Sequence, residues 1–219
     1  MQSVSKLPGF ERLLKVCRSR AHPMKLEPPV EPGLGPETSV AGQPVDPVLA
    51  AVHARAGSLW VRDGFSLFPT RHERWPDLRR ENEQWRRRWA EPFGSLLVFA
   101  RDDRLAYCYA TVPALADEKG VQPVVWVDVY EALYAVPVAS DVDRFLDTWA
   151  RYLESAPEVP GDEEYVLVDR TFPWSAPELI ARDRPLVELL RAGRFDFLME
   201  RNAEARRWVR EVLDVRVSR

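Results

Sequence analysis

The chain has 219 residues, 46% of them hydrophobic and 30% charged, which suits one ordinary globular domain or one domain with appended pieces and excludes a disordered tail or a fibre. A formal charge of -3 argues against a general nucleic-acid binder, whose affinity comes from an excess of Lys and Arg. Two distant cysteines, Cys17 and Cys108, cannot build a disulfide framework or a CxxC metal or redox site, and this usage fits a reducing cytoplasm.

The first residues contain no continuous apolar stretch of signal-peptide length, and the runs 96–100 and 132–139 fall well short of the ~20 residues a membrane helix needs. A soluble protein is expected. Phe10, Leu13, Leu14 and Cys17 fall at i, i+3, i+4 and i+7, one face of a helix that His22-Pro23 stops. Between Pro23 and Pro47 there are seven prolines and few large apolar residues, so an irregular linker or wrap on the outside is expected. Asp46-Pro47 reads as an N-cap followed by proline in the first turn, opening a helix through Val48, Leu49, Val52 and Ala56 to Gly57. Asp63-Gly64 marks a turn.

Trp75, Leu78, Asn82, Trp85 and Trp89 recur at spacings of three or four and predict one seam along a helix, with Arg79, Arg80, Arg86, Arg87 and Arg88 mostly off it. Residues 96–100 and 105–111 predict a hairpin around 101–104, which 124–130 and 134–139 extend to a four-stranded antiparallel meander. Ser140 or Asp141 caps a following helix whose apolar face, Val142, Phe145, Leu146, Trp149, Tyr152 and Leu153, suffices to cover one side of the sheet. Residues 165–168 could form another strand. From 179 to 213, helical stripes alternate with Arg and Glu: Leu186, Leu189 and Leu190 form one patch, and Leu198, Ala205, Trp208, Val209 and Val212 another.

The expected fold is α+β, an antiparallel sheet of four to six strands with packed helices and a helical C-terminal extension. Residues 1–45 would form the N-terminal helix and proline-rich linker, 46–155 the α+β core, and 156–219 the extension docked on it.

Residues 46–153 resemble the SUKH superfamily, the cell-wall-synthesis-regulator-like domains that include many bacterial immunity proteins. The order of elements carries the resemblance: a helix at 47–56, the turn Asp63-Gly64, then Phe93-Gly94-Ser95-Leu96-Leu97-Val98-Phe99, Pro123-Val124-Val125-Trp126-Val127-Asp128, and Val138-Ala139-Ser140-Asp141-Val142-Asp143-Arg144-Phe145-Leu146. Asp63-Gly64 stands where a polar-Gly-Gly turn is common in that family, the loop 113–122 is long, and about sixty residues follow the family's usual last helix. The resemblance implies an α+β fold and a binding role, with no catalytic residues to carry over.

Chemical signatures are sparse. His22, His53 and His72 are isolated from one another, so no metal site is expected. No GxSxG, GxxxxGK[ST] or strand-delivered GxGxxG motif is present, since Gly33-Leu34-Gly35-Pro36 lies in the proline-rich stretch. Cys17 and Cys108 sit in apolar patterns and read as packing residues. The cluster Trp85-Arg86-Arg87-Arg88-Trp89 mixes aromatics with cations, but 71–91 holds 7 basic and 5 acidic residues and reads as a solvated helix face.

Charge distribution is more informative. Between Asp102 and Tyr165 there are 14 acidic and 4 basic residues, net -10, so the remainder of the chain is net +7. Such a surface favours fast association with a basic protein and repels nucleic acid. Asp102, Asp103, Asp128, Glu131, Asp141, Asp143, Glu163 and Glu164 are the candidate partner-binding residues.

The resemblance of 46–153 implies an immunity protein, and with the missing catalytic signatures and the acidic sheet half the expectation is a non-enzymatic, cytoplasmic one. It would bind a cognate bacterial toxin with a basic surface, such as a nuclease, and occlude its active site, with no cofactor, metal, nucleic acid or membrane involved. The alternative is a regulatory or scaffolding module acting through the helices of 179–213. A third possibility is a hydrolase whose acids meet only in three dimensions. The oligomeric state is not set by these features.

Overall fold

The 3–4 spacing at the start of the chain produces helix α1 (Pro8–Ser19), which buries Phe10, Leu13, Leu14 and Cys17 along one face. The structure, a computed structural model, describes residues 6–31, 33–35, 38–73, 76–103, 105–130, 133–155, 172–200 and 202–215. After α1 come β1 (Met24–Glu27), the small hairpin β2 (Ser39–Val40) and β3 (Gln43–Pro44), and α2 (Pro47–His53). Next are β4 (Ser58–Val61), β5 (Phe65–Leu67), α3 (Leu78–Arg88), β6 (Leu97–Asp102), β7 (Cys108–Thr111), β8 (Val124–Asp128), β9 (Tyr134–Ala139) and α4 (Val142–Ser155). The described C-terminal segment forms α5 (Pro177–Ile180), α6 (Arg184–Arg191), α7 (Asp196–Met199) and α8 (Ala203–Asp214). None of these helices is long and apolar enough to cross a membrane.

The α+β class and the β6–β9 meander are as expected, but the sheet has seven strands rather than four to six, in the order β1-β4-β5-β6-β7-β8-β9 and antiparallel throughout. The additional pairing comes partly from the stretch expected to be an irregular linker. Met24–Glu27 pairs with β4 from Met24↔Val61 to Glu27↔Ser58. Pro23 and Pro28 flank this segment without interrupting it, and an edge strand needs backbone partners on one side only. The N-terminal 45 residues therefore contribute to the same sheet as the expected core.

Strand limits shift for local reasons. The Asp102 carboxylate accepts from the Leu105 amide at 2.9 Å, and the Asp102 amide donates to the Tyr107 carbonyl at 2.9 Å, so 105–107 belong to a turn and β7 begins at Cys108. An extra residue at Phe99 shifts the β6–β7 register, and its ring meets Phe145 edge-on at 5.7 Å. Asn82, in the expected α3 seam, satisfies the backbone next to this bulge: its side chain accepts from the Val98 amide at 2.8 Å and donates to the Val98 carbonyl at 2.7 Å. Trp75, also assigned to that seam, and the possible strand 165–168 lie outside the described residues.

α4 covers one sheet face as expected. Phe65, Phe99 and Tyr109 from the sheet meet Phe145, and Phe65 also meets Trp149. α1 lies so close against α4 that a Cβ on Gly9 would stand 2.0 Å from the Asp143 carbonyl oxygen, so only glycine fits. The C-terminal helices pack against β9 and bury Leu198, Ala205, Trp208 and Val212. Trp174 links them to the sheet, with its ring 5.7 Å from Trp126 and 6.1 Å from Trp208.

Candidate partner-binding surface

An antiparallel sheet in which successive strands are neighbours collects alternate turns at one end. Here the β4–β5, β6–β7 and β8–β9 turns share an end, and hydrogen bonds join them into a continuous rim. The Asp103 amide donates to the Gly64 carbonyl at 3.2 Å, the Asp63 amide to Asp103 Oδ2 at 3.3 Å, and the Trp60 indole N–H to Asp103 Oδ1. Asp63 holds a left-handed φ of 54°, a conformation Asp tolerates in turns. On the other side of the rim, the Ala106 amide donates to the Tyr130 hydroxyl at 2.9 Å, and the Tyr130 amide donates to Asp128 Oδ1 at 2.8 Å.

Asp102, Asp103 and Asp128 of the expected interface therefore come together on this rim, each half-buried. Glu131, Glu163 and Glu164 lie outside the described residues. Asp141 and Asp143 go to the opposite end of the sheet and are engaged in holding the fold. Asp141 Oδ1 accepts from the Arg144 amide at 2.8 Å, making it the cap that Ser140 or Asp141 was expected to supply. Asp143 accepts from the Gly9 and Phe10 amides at 3.0 and 2.9 Å, joining the start of α1 to α4.

Two further aspartates work at that opposite end. Asp46 is fully buried; Oδ1 accepts from the Leu49 amide at 2.7 Å as the expected N-cap of α2, while Oδ2 accepts from the Gln122 amide at 2.6 Å. Asp183 caps α6 through the Leu186 amide at 3.3 Å and holds the Ser140 amide at 2.7 Å. Burial first, opposed by these amide bonds and reinforced by Asp141, pushes the Asp46 pKa up to about 6. Burial also raises Asp141 and Asp143.

The rim carries apolar groups that charge counting did not single out. Leu105 and Tyr130, in neighbouring turns, are 41% and 56% exposed. The Tyr107 ring is 4.5 Å from Trp126 and stands nearly perpendicular to Tyr130 at 5.4 Å, and Trp126 reaches Tyr134 at 5.9 Å. Burial, then the charges of Asp128, Tyr130, Asp102 and Glu204, raises the Tyr107 pKa. Tyr134 is raised by burial and by Asp128 and Glu204. Glu204 stands on α8, 4.0 Å from Arg207. Tyr130 falls in the stretch 124–130 expected to be a strand, but β8 ends at Asp128, whose carboxylate accepts from the Tyr130 amide, so Tyr130 stands exposed in the turn.

Other candidate chemistries sit elsewhere. Two open clefts of about 580 and 530 Å³ lie away from the rim, the first beside Val30 and His72, the second between Pro92, Leu115 and Phe197. Burial lifts the Cys17 and Cys108 thiols to about 11 and 12. It lowers His53, on α2, to about 4, so this ring is neutral near pH 7. Among the described residues no three His, Cys, Asp or Glu gather to hold a metal. The resulting surface can present negative charge and aromatic faces to a partner. No family model, curated protein or solved structure matches the chain.

Proposed function

We propose that the chain is a non-enzymatic immunity protein of the bacterial cytoplasm that binds one cognate toxin through the rim and blocks its active site. The carrying observation is the convergence of Asp102, Asp103 and Asp128 with the exposed Leu105 and Tyr130 on three turns stitched together by hydrogen bonds. A preorganised patch with an aromatic and apolar centre and a charged border is suited to protein recognition, and its negative charge suits the basic cleft of an enzyme that cuts nucleic acid. The resemblance of 46–153 to the SUKH superfamily supports the same reading. Truncation after Glu154 is a poor way to separate it from the scaffold alternative, because removing α5–α8 would uncover β9 and the Trp126–Trp174–Trp208 contacts.

The full-length chain, used as bait in lysate of its source organism and eluted over a salt series, should release a basic protein that is toxic when expressed alone and harmless when co-expressed with the bait. Recovery of housekeeping proteins only, with no toxic protein released at high salt, would overturn the immunity reading.

A further inference from the structure

We propose that the Tyr107–Tyr130 corner of the rim receives an arginine side chain of the partner, its guanidinium laid on the Tyr130 ring and its charge facing Asp102 and Asp128. This rests on the protein-binding reading above and names the chemistry the partner brings. The two tyrosine rings meet at 81°, so the exposed Tyr130 is backed by a second π-system, and Trp126 lies behind that.

Tyr130 is exposed but not slack. Its hydroxyl accepts a hydrogen bond from the Ala106 amide and its own amide donates to Asp128, so the ring is positioned before a partner arrives and little freedom is lost on docking. Leu105, beside Ala106 in the facing turn, offers an apolar surface for an arginine's methylene stem. A planar guanidinium stacks on an aromatic face and donates several directed hydrogen bonds to carboxylates, whereas an ammonium does so less well. Phosphate-bearing ligands are disfavoured by the same acids. A second copy of this chain could also offer arginines, because Arg79, Arg80, Arg86, Arg87 and Arg88 are exposed on α3, so self-association must be measured as well.

The test titrates the full-length chain with octa-arginine and octa-lysine peptides of equal charge at fixed salt, by calorimetry and by amide chemical shifts. The parent should bind octa-arginine about three- to fivefold more tightly than octa-lysine, with the largest shifts at Leu105, Ala106 and Tyr130. Tyr130→Leu, at an exposed position, should abolish that preference while octa-lysine binding changes by less than about twofold. Glu178→Gln, on the exposed face of α5, should change neither. Equal affinity of the parent for both peptides, shifts confined to other surfaces, or an undiminished preference in Tyr130→Leu would each overturn the proposal. So would sedimentation showing a dimer of the parent that Arg86→Ala/Arg87→Ala dissolves, if neither peptide binds. An arginine preference without any toxin neutralisation keeps this proposal and removes the immunity reading. Neutralisation that is unchanged in Tyr130→Leu does the reverse.

Discussion

The two ends of the sheet use the same residue type in opposite ways. At the helix end, Asp46, Asp143 and Asp183 each accept from two backbone amides, and in every case the two bonds join segments distant in sequence. At the turn end, Asp102 and Asp128 accept amides within their own turns and stay half-exposed beside Tyr107 and Tyr130, and only Asp103 of the three joins distant segments, through the Trp60 indole and the Asp63 amide. A carboxylate near a helix start is drawn to unsatisfied N–H groups and becomes part of the scaffold, whereas one in a hairpin turn keeps its charge near solvent. Of the acids counted between 102 and 165, Asp141 and Asp143 therefore belong to the scaffold and not to the turn-end surface.

The largest expected effect breaks the helix end by steric means. Gly9→Ala would drive a methyl group into the Asp143 carbonyl and push α1 off α4, costing about 3 kcal/mol of stability by urea unfolding. An unfolding midpoint like that of the parent would show that α1 can move aside freely.

The second effect sharpens the contrast through pH. His53 takes a proton near 6.5 in the unfolded chain but only at about 4 when folded, so its contribution to stability is complete above that window and is lost as pH falls through it. Asp46 behaves oppositely: the folded carboxyl takes its proton at about 6 and the unfolded one at 3.8, so stability rises as pH falls between these values. Each contribution is worth about 3 kcal/mol at full extent, and in the parent they largely offset one another. Asp46→Asn should make the protein more sensitive to acid between pH 7 and 4.5, and His53→Leu less sensitive, in urea midpoints at the two pH values. The raised carboxyl of Asp143 is common to all three proteins, while Asp46→Asn also relieves Asp141 of a neighbouring charge, which reduces its stabilisation in acid and acts in the same direction. Identical pH profiles in all three would refute the buried, opposed pair.

Asp143→Ala should cost about 2 kcal/mol, because it leaves the Gly9 and Phe10 amides without their acceptor. At the turn end, Asp102→Asn and Tyr130→Ala should change stability by less than about 0.5 kcal/mol. They should act on the partner instead: Asp102→Asn by slowing association and flattening its salt dependence, Tyr130→Ala by speeding dissociation about tenfold. Stopped-flow measurements with the captured partner separate the two, and a stability loss comparable to Asp143→Ala would place these residues in the scaffold after all. Asp103 is unsuitable for the same experiment, because its carboxylate holds the Trp60 indole and the Asp63 amide.

The elements themselves were largely legible. The spacing of Phe10, Leu13, Leu14 and Cys17, the Asp46-Pro47 helix start, the 63–64 turn, the β6–β9 meander and the apolar face of α4 all follow from local periodicity and capping chemistry, which act over a few residues and are written in neighbouring side chains. The edge strand β1 was hidden because backbone pairing needs no apolar pattern when a strand borders a sheet on one side only. Of the candidate site, Asp102, Asp103 and Asp128 were visible as acids near strand ends, while the duties of Asp141 and Asp143 were not, since their amide partners lie in part on α1.

The sequence by itself determined that this protein would be an α+β chain with an acidic sheet region, because hydrophobic periodicity, turn residues and charge are properties of short stretches. Which carboxylates stay near solvent and which hold the helices, and that Tyr107 and Tyr130 meet at one rim, only the tertiary structure decided. A carboxylate's role depends on which N–H donors folding brings within about 3 Å of it, and those donors lie on segments that local patterns do not connect.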